Sequence, residues 1–210
     1  NLSRLLELRI GLYYYLYKTM SITVRKYIQS DLNIWEKFVE QSSNGTLFHS
    51  KRFLNYHPVG RFIDNSLIFQ KKGNIISVFP ATISNQKGKK MLISHPGASV
   101  GSCVVPEDLT ISEALGIVDE LYEYAKSKKI DVIKITLPPV IYSKRISQYM
   151  DYAYKKKGFI YTKREISSVL FLEKTADKNL SKFKSTHRTA VRKAEKTGII
   201  VKQSDNFEEF

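Results

Sequence analysis

The sequence predicts a mixed α/β fold. At least six β-rich runs alternate with amphipathic helical patterns, which is the signature of a sheet flanked by helices. The order is irregular: a hairpin, a helical crossover, a strand, a helix, then further strands. That order disfavours a simple doubly wound sheet. The chain is long enough, at 210 residues, for one domain with a sizeable core or one domain and the start of a second.

Each element follows from local chemistry. "SITVRKY" alternates apolar and polar residues and reads as a strand. "SDLNIWEKFVEQS" offers Ser30 or Asp31 as N-cap and gathers Ile34, Trp35, Phe38 and Val39 on one face, so it reads as a helix. Asn44–Gly45 ends it. "HSKRFLNYHP" is a short helix capped by Ser50 and stopped by Pro58. "NSLIFQKKGNIISVFPATIS" is a hairpin around "KKGN". "KKMLISHPGASVGSCVV" is a strand feeding a glycine-rich loop. "TISEALGIVDELYEYAKSKK" is an amphipathic helix with Thr110 or Ser112 as cap and a Lys-rich end that suits the helix dipole. "IDVIKITLPP" is a strand closed by two prolines, and "RISQYMDYAYKKKGF" a helix ended by Gly158. "FIYTKREISSVLFLEK" reads as two more β runs. A basic helix ended by Gly198, the strand "IIVKQS" and the start of a further helix complete the chain.

Composition narrows the classes. A hydrophobic fraction of 42% with 12% aromatics, including 13 Tyr, describes a folded protein rather than a disordered tail. The formal charge of +14 points to a phosphate-bearing or polyanionic partner, or to plain solubility. The single cysteine, Cys103, rules out an intramolecular disulfide and suits a reducing compartment. No Cys/His cluster has zinc spacing, so no metal is expected. No run reaches the roughly 18 apolar residues of a membrane span. Residues 1–19 are amphipathic, lack signal-peptide features, and precede the start-like "MSITVRKY"; they are read as an extension outside the fold, with a membrane-surface helix as the alternative. No GxGxxG or P-loop pattern occurs, which removes the familiar dinucleotide and nucleoside-triphosphate sites.

Four places carry candidate chemistry. In the basic helix, Lys184, Arg188 and Arg192 recur every four residues and form one stripe able to grip phosphates; the plain alternative is a solvated face. In "SHPGASVGS", Gly97 and Gly101 permit close backbone approach, their N–H groups could cradle an anion, and His95 could serve as donor or acid–base group; a tight turn explains the same residues. Lys51, Arg52 and His57 surround the short helix, where a cation could reach a phosphate or simply face solvent. Tyr142 follows a strand end, either at a ligand crevice or packed. No triad or paired-carboxylate pattern is present.

The order of the segments "WEKFVEQSSNGTLFHSKRFLNYHP", "VFPATIS", "SHPGASVGS", "LPPVIY", "KKKGF" and "FKSTHRTAVRKAEKTGIIVKQS" resembles the FemABX-like branch of the GNAT acyltransferase superfamily, over about residues 20–210. The resemblance implies a GNAT-like lobe at 20–175 with a mixed, mostly antiparallel sheet. It implies a linker helix and the first strand of a truncated second lobe at 176–210. The activity it implies is transfer of an acyl or aminoacyl group, from acyl-CoA or aminoacyl-tRNA, to an amine of a cell-wall precursor or nucleotide-activated sugar, in the cytoplasm or at its membrane surface. Such a fragment would be inactive alone. Lys51, Arg52, His57, His95, Gly97, Gly101, Tyr142, Lys184, Arg188 and Arg192 become candidate contacts to the phosphate-bearing acceptor or to tRNA. Phe53 and His57 stand where the peptidoglycan-bridge members tend to carry Trp and Lys, so a small-acyl transferase acting on sugar amines fits equally. A nucleic-acid-binding module using helix 178–197 is the competing function.

Overall fold

The computed structural model describes residues 22–206, which form two compact units, 22–164 and 165–206. The mixed α/β architecture is present in the first. Its order is β1 (Ile22–Lys26), α1 (Leu32–Gln41), α2 (Lys51–Leu54), β2 (Ile63–Asp64), β3 (Leu67–Lys71), β4 (Asn74–Phe79), β5 (Ala81–Gln86), β6 (Lys89–Ser94), α3 (Ile111–Ser127), β7 (Val132–Lys134) and α4 (Tyr149–Lys156).

Two ladders result, β1-β3-β4 and β2-β5-β6-β7. Every pairing is antiparallel except β6 with β7, which α3 joins as the crossover. A parallel neighbour needs such a long connection. The ladders meet at Pro80, the one residue between β4 and β5. Proline has no N–H to donate, so the strand changes partners there. Both hairpins turn on a Lys-Gly pair with positive φ, Lys72 (51°) with Gly73 (80°) and Lys87 (51°) with Gly88 (74°). Two such residues suit the twist of the flanking strands. The first hairpin matches the reading of "KKGN"; the second lies in a polar run that gave no hairpin signal.

The sheet is covered on both faces. Leu67, Phe69, Phe79 and Leu92 pack with Ala114, Ile117, Val118 and Leu121 of α3 and Ala153 and Tyr154 of α4. Ile68 and Val78 point the other way, onto Trp35 and Val39 of α1 and onto Tyr27 and Val104. The alternation along β3 therefore feeds two cores. Two of the expected caps are in place, whereas Asp31 stands at the N-cap of α1 with its carboxylate paired to Arg25 at 2.6 Å and makes no side-chain cap bond. Ser50 Oγ accepts from the Phe53 N–H at 3.3 Å, and Thr110 forms a capping box with Glu113.

The expected strands within 159–174 and at 199–204 do not form ladders among the described residues. Apart from Phe159, which packs against the first core, their apolar side chains are open: Ile166 is 98% exposed and Val201 95%. A β-capable sequence becomes a strand only when a neighbouring strand takes up its backbone groups.

The second unit holds α5 (Ala176–Ser181) and α6 (Ser185–Lys196), neither with a buried residue. It is held by local polar contacts. Thr175 Oγ1 accepts from the Lys178 N–H, Asn179 Nδ2 donates to Glu173 O at 3.0 Å, and Lys182 pairs with Glu173 at 2.7 Å. The division at 164/165 falls ahead of the boundary expected at 175. The expected extension 1–19 and the final residues lie outside the described part.

Candidate functional site

The carboxyl end of β6 brings together two of the four histidines, His57 and His95. His95 follows the last residue of the strand, Ser94, and is 6% exposed. His57 arrives from the loop after α2. Its ring stacks on His95 with centroids 5.9 Å apart and planes 12° apart. Phe62 sits edge-on to both, at 5.0 Å from His57 and 4.9 Å from His95, and Tyr56 lies 4.0 Å over His57.

Gly97 ties the two imidazoles together. Its N–H donates to His95 Nδ1 at 3.2 Å, while its carbonyl accepts from His57 Nε2 at 3.0 Å. A Cβ on residue 97 would fall on the His57 ring, so only glycine fits. The bonds also fix the tautomers. A carbonyl only accepts, so His57 carries its hydrogen on Nε2. His95 Nδ1 accepts, so its hydrogen is on Nε2 as well. His57 Nδ1 is left buried with no hydrogen-bond partner among the described residues. Burial, with the positive charge of Lys51 behind it and Asp64 opposing, lowers the His95 pKa to about 4. His95 is therefore neutral at pH 7.

Lys51 is not a surface cation. It is 4% exposed, and its Nζ donates to Asp64 Oδ1 at 2.8 Å and Ser66 Oγ at 2.7 Å. It also lies 4.5 Å above the Tyr27 ring and 5.2 Å above that of Trp35. Burial pulls its pKa down against the pull of Asp64. The phosphate contact suggested by the sequence is thus replaced by an internal ion pair. Arg52 is exposed, and its backbone N–H donates to Glu36 Oε1 at 3.0 Å.

The anion cradle suggested for the glycine loop is also used internally. The Gly97 N–H is committed to His95, and the Gly101 N–H donates to Thr136 O at 2.8 Å. Ser94 Oγ accepts from the Thr136 N–H at 2.8 Å. The loop is thereby tied to the residues that follow β6 and β7. Tyr142 is 53% exposed in a one-turn helix over 140–142 and is not part of the ring cluster. Cys103 is inert: it is 1% exposed and burial pushes its thiol up to about 11.

Lys184, Arg188 and Arg192 lie in the second unit. Lys184 is the N-cap of α6, and Arg188 and Arg192 follow on the helix. Arg188 Nη1 donates to Phe183 O, which bends that side chain back on its own turn.

Three functional neighbours escaped the sequence reading: Asp64 and Ser66, which hold Lys51, and Phe62, which braces both histidines. The only signal for them was "FIDNS", a polar interruption ahead of a β run. Among the described residues there is no group of three or more His, Cys, Asp or Glu side chains placed to hold a metal, and no helix long and apolar enough to cross a membrane.

No protein-family model and no curated protein matches the sequence. Solved structures show a partial likeness. A GNAT family acetyltransferase from Staphylococcus aureus is 13% identical, with a TM-score of 0.44 over 72% of this chain and 100% of that one. A ribosomal-protein-alanine N-acetyltransferase from Brucella melitensis is 10% identical, with a TM-score of 0.47 over 71% of this chain and 100% of that one. An aminoglycoside acetyltransferase from an uncultured soil metagenomic sample, in complex with sisomicin, is 9% identical, with a TM-score of 0.47 over 72% and 97%. At these values the likeness carries no argument about activity, acceptor or donor.

Proposed function

We propose that this chain is an acyltransferase lobe of the FemAB/GNAT type. It would pass an acyl or aminoacyl group from acyl-CoA or aminoacyl-tRNA to an amine on a cell-wall precursor or nucleotide-activated sugar, in the cytoplasm. The reading is supported by the segment order described above and by the mixed sheet, which among the described residues has one parallel pair, β6 with β7. The observation that carries it is the placement of His57 and His95 at the carboxyl end of β6, where open α/β sheets tend to present their ligand residues.

The chemistry asks for little. An amine attacks a thioester or ester carbonyl, a proton leaves, and charge gathers on the carbonyl oxygen. Positioned donors and one proton acceptor suffice, so the lack of a triad is compatible with the class.

The test is direct. The protein is incubated with acetyl-CoA or aminoacyl-tRNA and a panel of amines, including UDP-linked amino sugars and peptidoglycan precursors. Free thiol or deacylated tRNA is measured beside the acylated amine. Stoichiometric release and product are expected for at least one pair. Donor hydrolysis without acylated amine across the panel would reject the reading.

A second reading is favoured by one feature. α6 has no buried residue and presents Arg192, Lys193 and Lys196 to solvent. A nucleic-acid module would bind RNA or DNA regardless of sequence, with log K falling steeply against log salt.

A further inference from the structure

We propose that His57 and His95 are the proton-handling pair of the transfer reaction. His57 Nδ1 takes the proton of the attacking amine, and His95 Nε2–H hydrogen-bonds the carbonyl oxygen that gains charge. The proposal rests on the acyltransferase reading and assigns its chemistry to two side chains.

The argument starts at Gly97. One residue sets both rings, because its carbonyl and its N–H each hold one of them. The result is one acceptor nitrogen on His57 and one donor on His95, on rings stacked 12° from parallel. His57 Nδ1 is one of six buried side-chain polar atoms without a partner among the described residues, and the one that belongs to the stacked histidine pair. Leaving one unsatisfied is unfavourable, because the group gives up its hydrogen bond to water and gains none in return. An amine N–H is the complementary partner. His95 is suited to the donor role because it is neutral at pH 7 and its other nitrogen is already occupied. A fixed neutral donor stabilises a developing oxyanion without having to reorganise. Other groups fall away: Cys103 is buried as a thiol, and the Lys51 ammonium is paired inside. Tyr56, 66% exposed, lies with its ring centroid 4.0 Å from that of His57 and tilted 36° to it, so the pair borders solvent on that side.

The step balances. The amine nitrogen bonds to the acyl carbon, and the carbon–sulfur bond of a thioester (or the ester carbon–oxygen bond) breaks. The amine proton passes to His57 Nδ1 and then to the departing thiolate or alkoxide. The products are an amide and a thiol or alcohol, with no net proton uptake and no redox change.

Two variants separate chemistry from support. In His57→Gln the amide nitrogen can still donate to the Gly97 carbonyl, yet no base remains at the Nδ1 position. In His95→Asn the side-chain oxygen can still accept from the Gly97 N–H, yet the Nε2–H is gone. Each is expected to lower kcat about 100-fold or more, the range for a lost base or oxyanion donor. Acceptor KM should stay within about threefold, and the melting temperature should be unchanged. A His57→Gln protein that folds and keeps kcat within about threefold of wild type would overturn the proposal. Imidazole nitrogen NMR gives a readout independent of activity: both rings are expected as Nε2–H tautomers at pH 7, and a His57 ring protonated on Nδ1 would overturn it. Correct tautomers in a wild-type protein that transfers nothing would reject the acyltransferase reading, and the assigned role with it, while leaving the Gly97 clamp standing.

Discussion

Ile68 and Ile166 sit in equally β-rich runs, yet one is fully buried and the other 98% exposed. The first belongs to the 22–164 unit, where β3 has a strand on each side and a helix layer on each face. The second belongs to 165–206, where order is carried by caps and ion pairs within a few residues of one another. The contrast teaches that helices can close on their own chemistry whereas strands cannot. Helix hydrogen bonds run within the segment; strand hydrogen bonds require another segment.

The largest effect expected from this contrast is at Trp35. It is fully buried, and its indole N–H donates to the His49 carbonyl at 2.8 Å. Trp35→Ala should cost about 3–5 kcal/mol. Chemical denaturation should show this as a large loss for the 22–164 unit, with little change in the helicity of 176–196. A matching loss in both regions would mean that they unfold together.

Acid comes next. Burial lowers the His49 ring to about 4, below the 6.5 of an ordinary imidazole. The unfolded ring binds a proton at higher pH than the folded one, so stability is fully present above about pH 6.5 and declines as pH falls toward 4. The loss from His49 is about 3 kcal/mol across that window. His95, lowered by the same kind of burial, acts in the same direction. Denaturation midpoints measured from pH 7 to 4 check this; His49→Gln should flatten the slope if the variant folds.

Gly73→Ala should cost about 1 kcal/mol, because residue 73 has a φ of 80°. Urea denaturation of the variant should show a small shift in midpoint with an unchanged slope. The smallest effect is expected from Thr175→Ala. Losing that cap should cost up to about 1 kcal/mol of local helix stability. Amide exchange should quicken across 176–181 while 111–127 stays protected; slower or unchanged exchange in α5 would contradict the cap.

The sequence showed what local chemistry decides. Thr110 and Ser50 were legible as caps and "KKGN" as a hairpin; of the inward face read as Ile34, Trp35, Phe38 and Val39, Trp35 and Val39 are buried, Phe38 is partly buried and Ile34 is 46% exposed. The β5–β6 hairpin was missed because Lys87–Gly88 sits among polar residues that carry no alternation. The strands expected within 159–174 failed for the opposite reason: their composition was right and their neighbour was absent from the described ladders. At the site, His57, His95 and Gly97 were named individually. Their meeting was not visible, because 40 residues separate His57 from Gly97. Lys51 looked like a surface cation because the groups that bury it, Asp64 and Ser66, lie 13 and 15 residues further on. Helix periodicity does not report such distances.

Pro80 gives the sheet its phase reference. One extra residue inserted beside it would leave the β3–β4 hairpin in step and turn β5 over, because side chains alternate with a period of two. The inward residues of β5 and β6 would then face solvent, and the histidine that follows β6 would be carried away from its partner. One imino acid thus couples the alignment of the chemistry at one end of the sheet to the packing at the other.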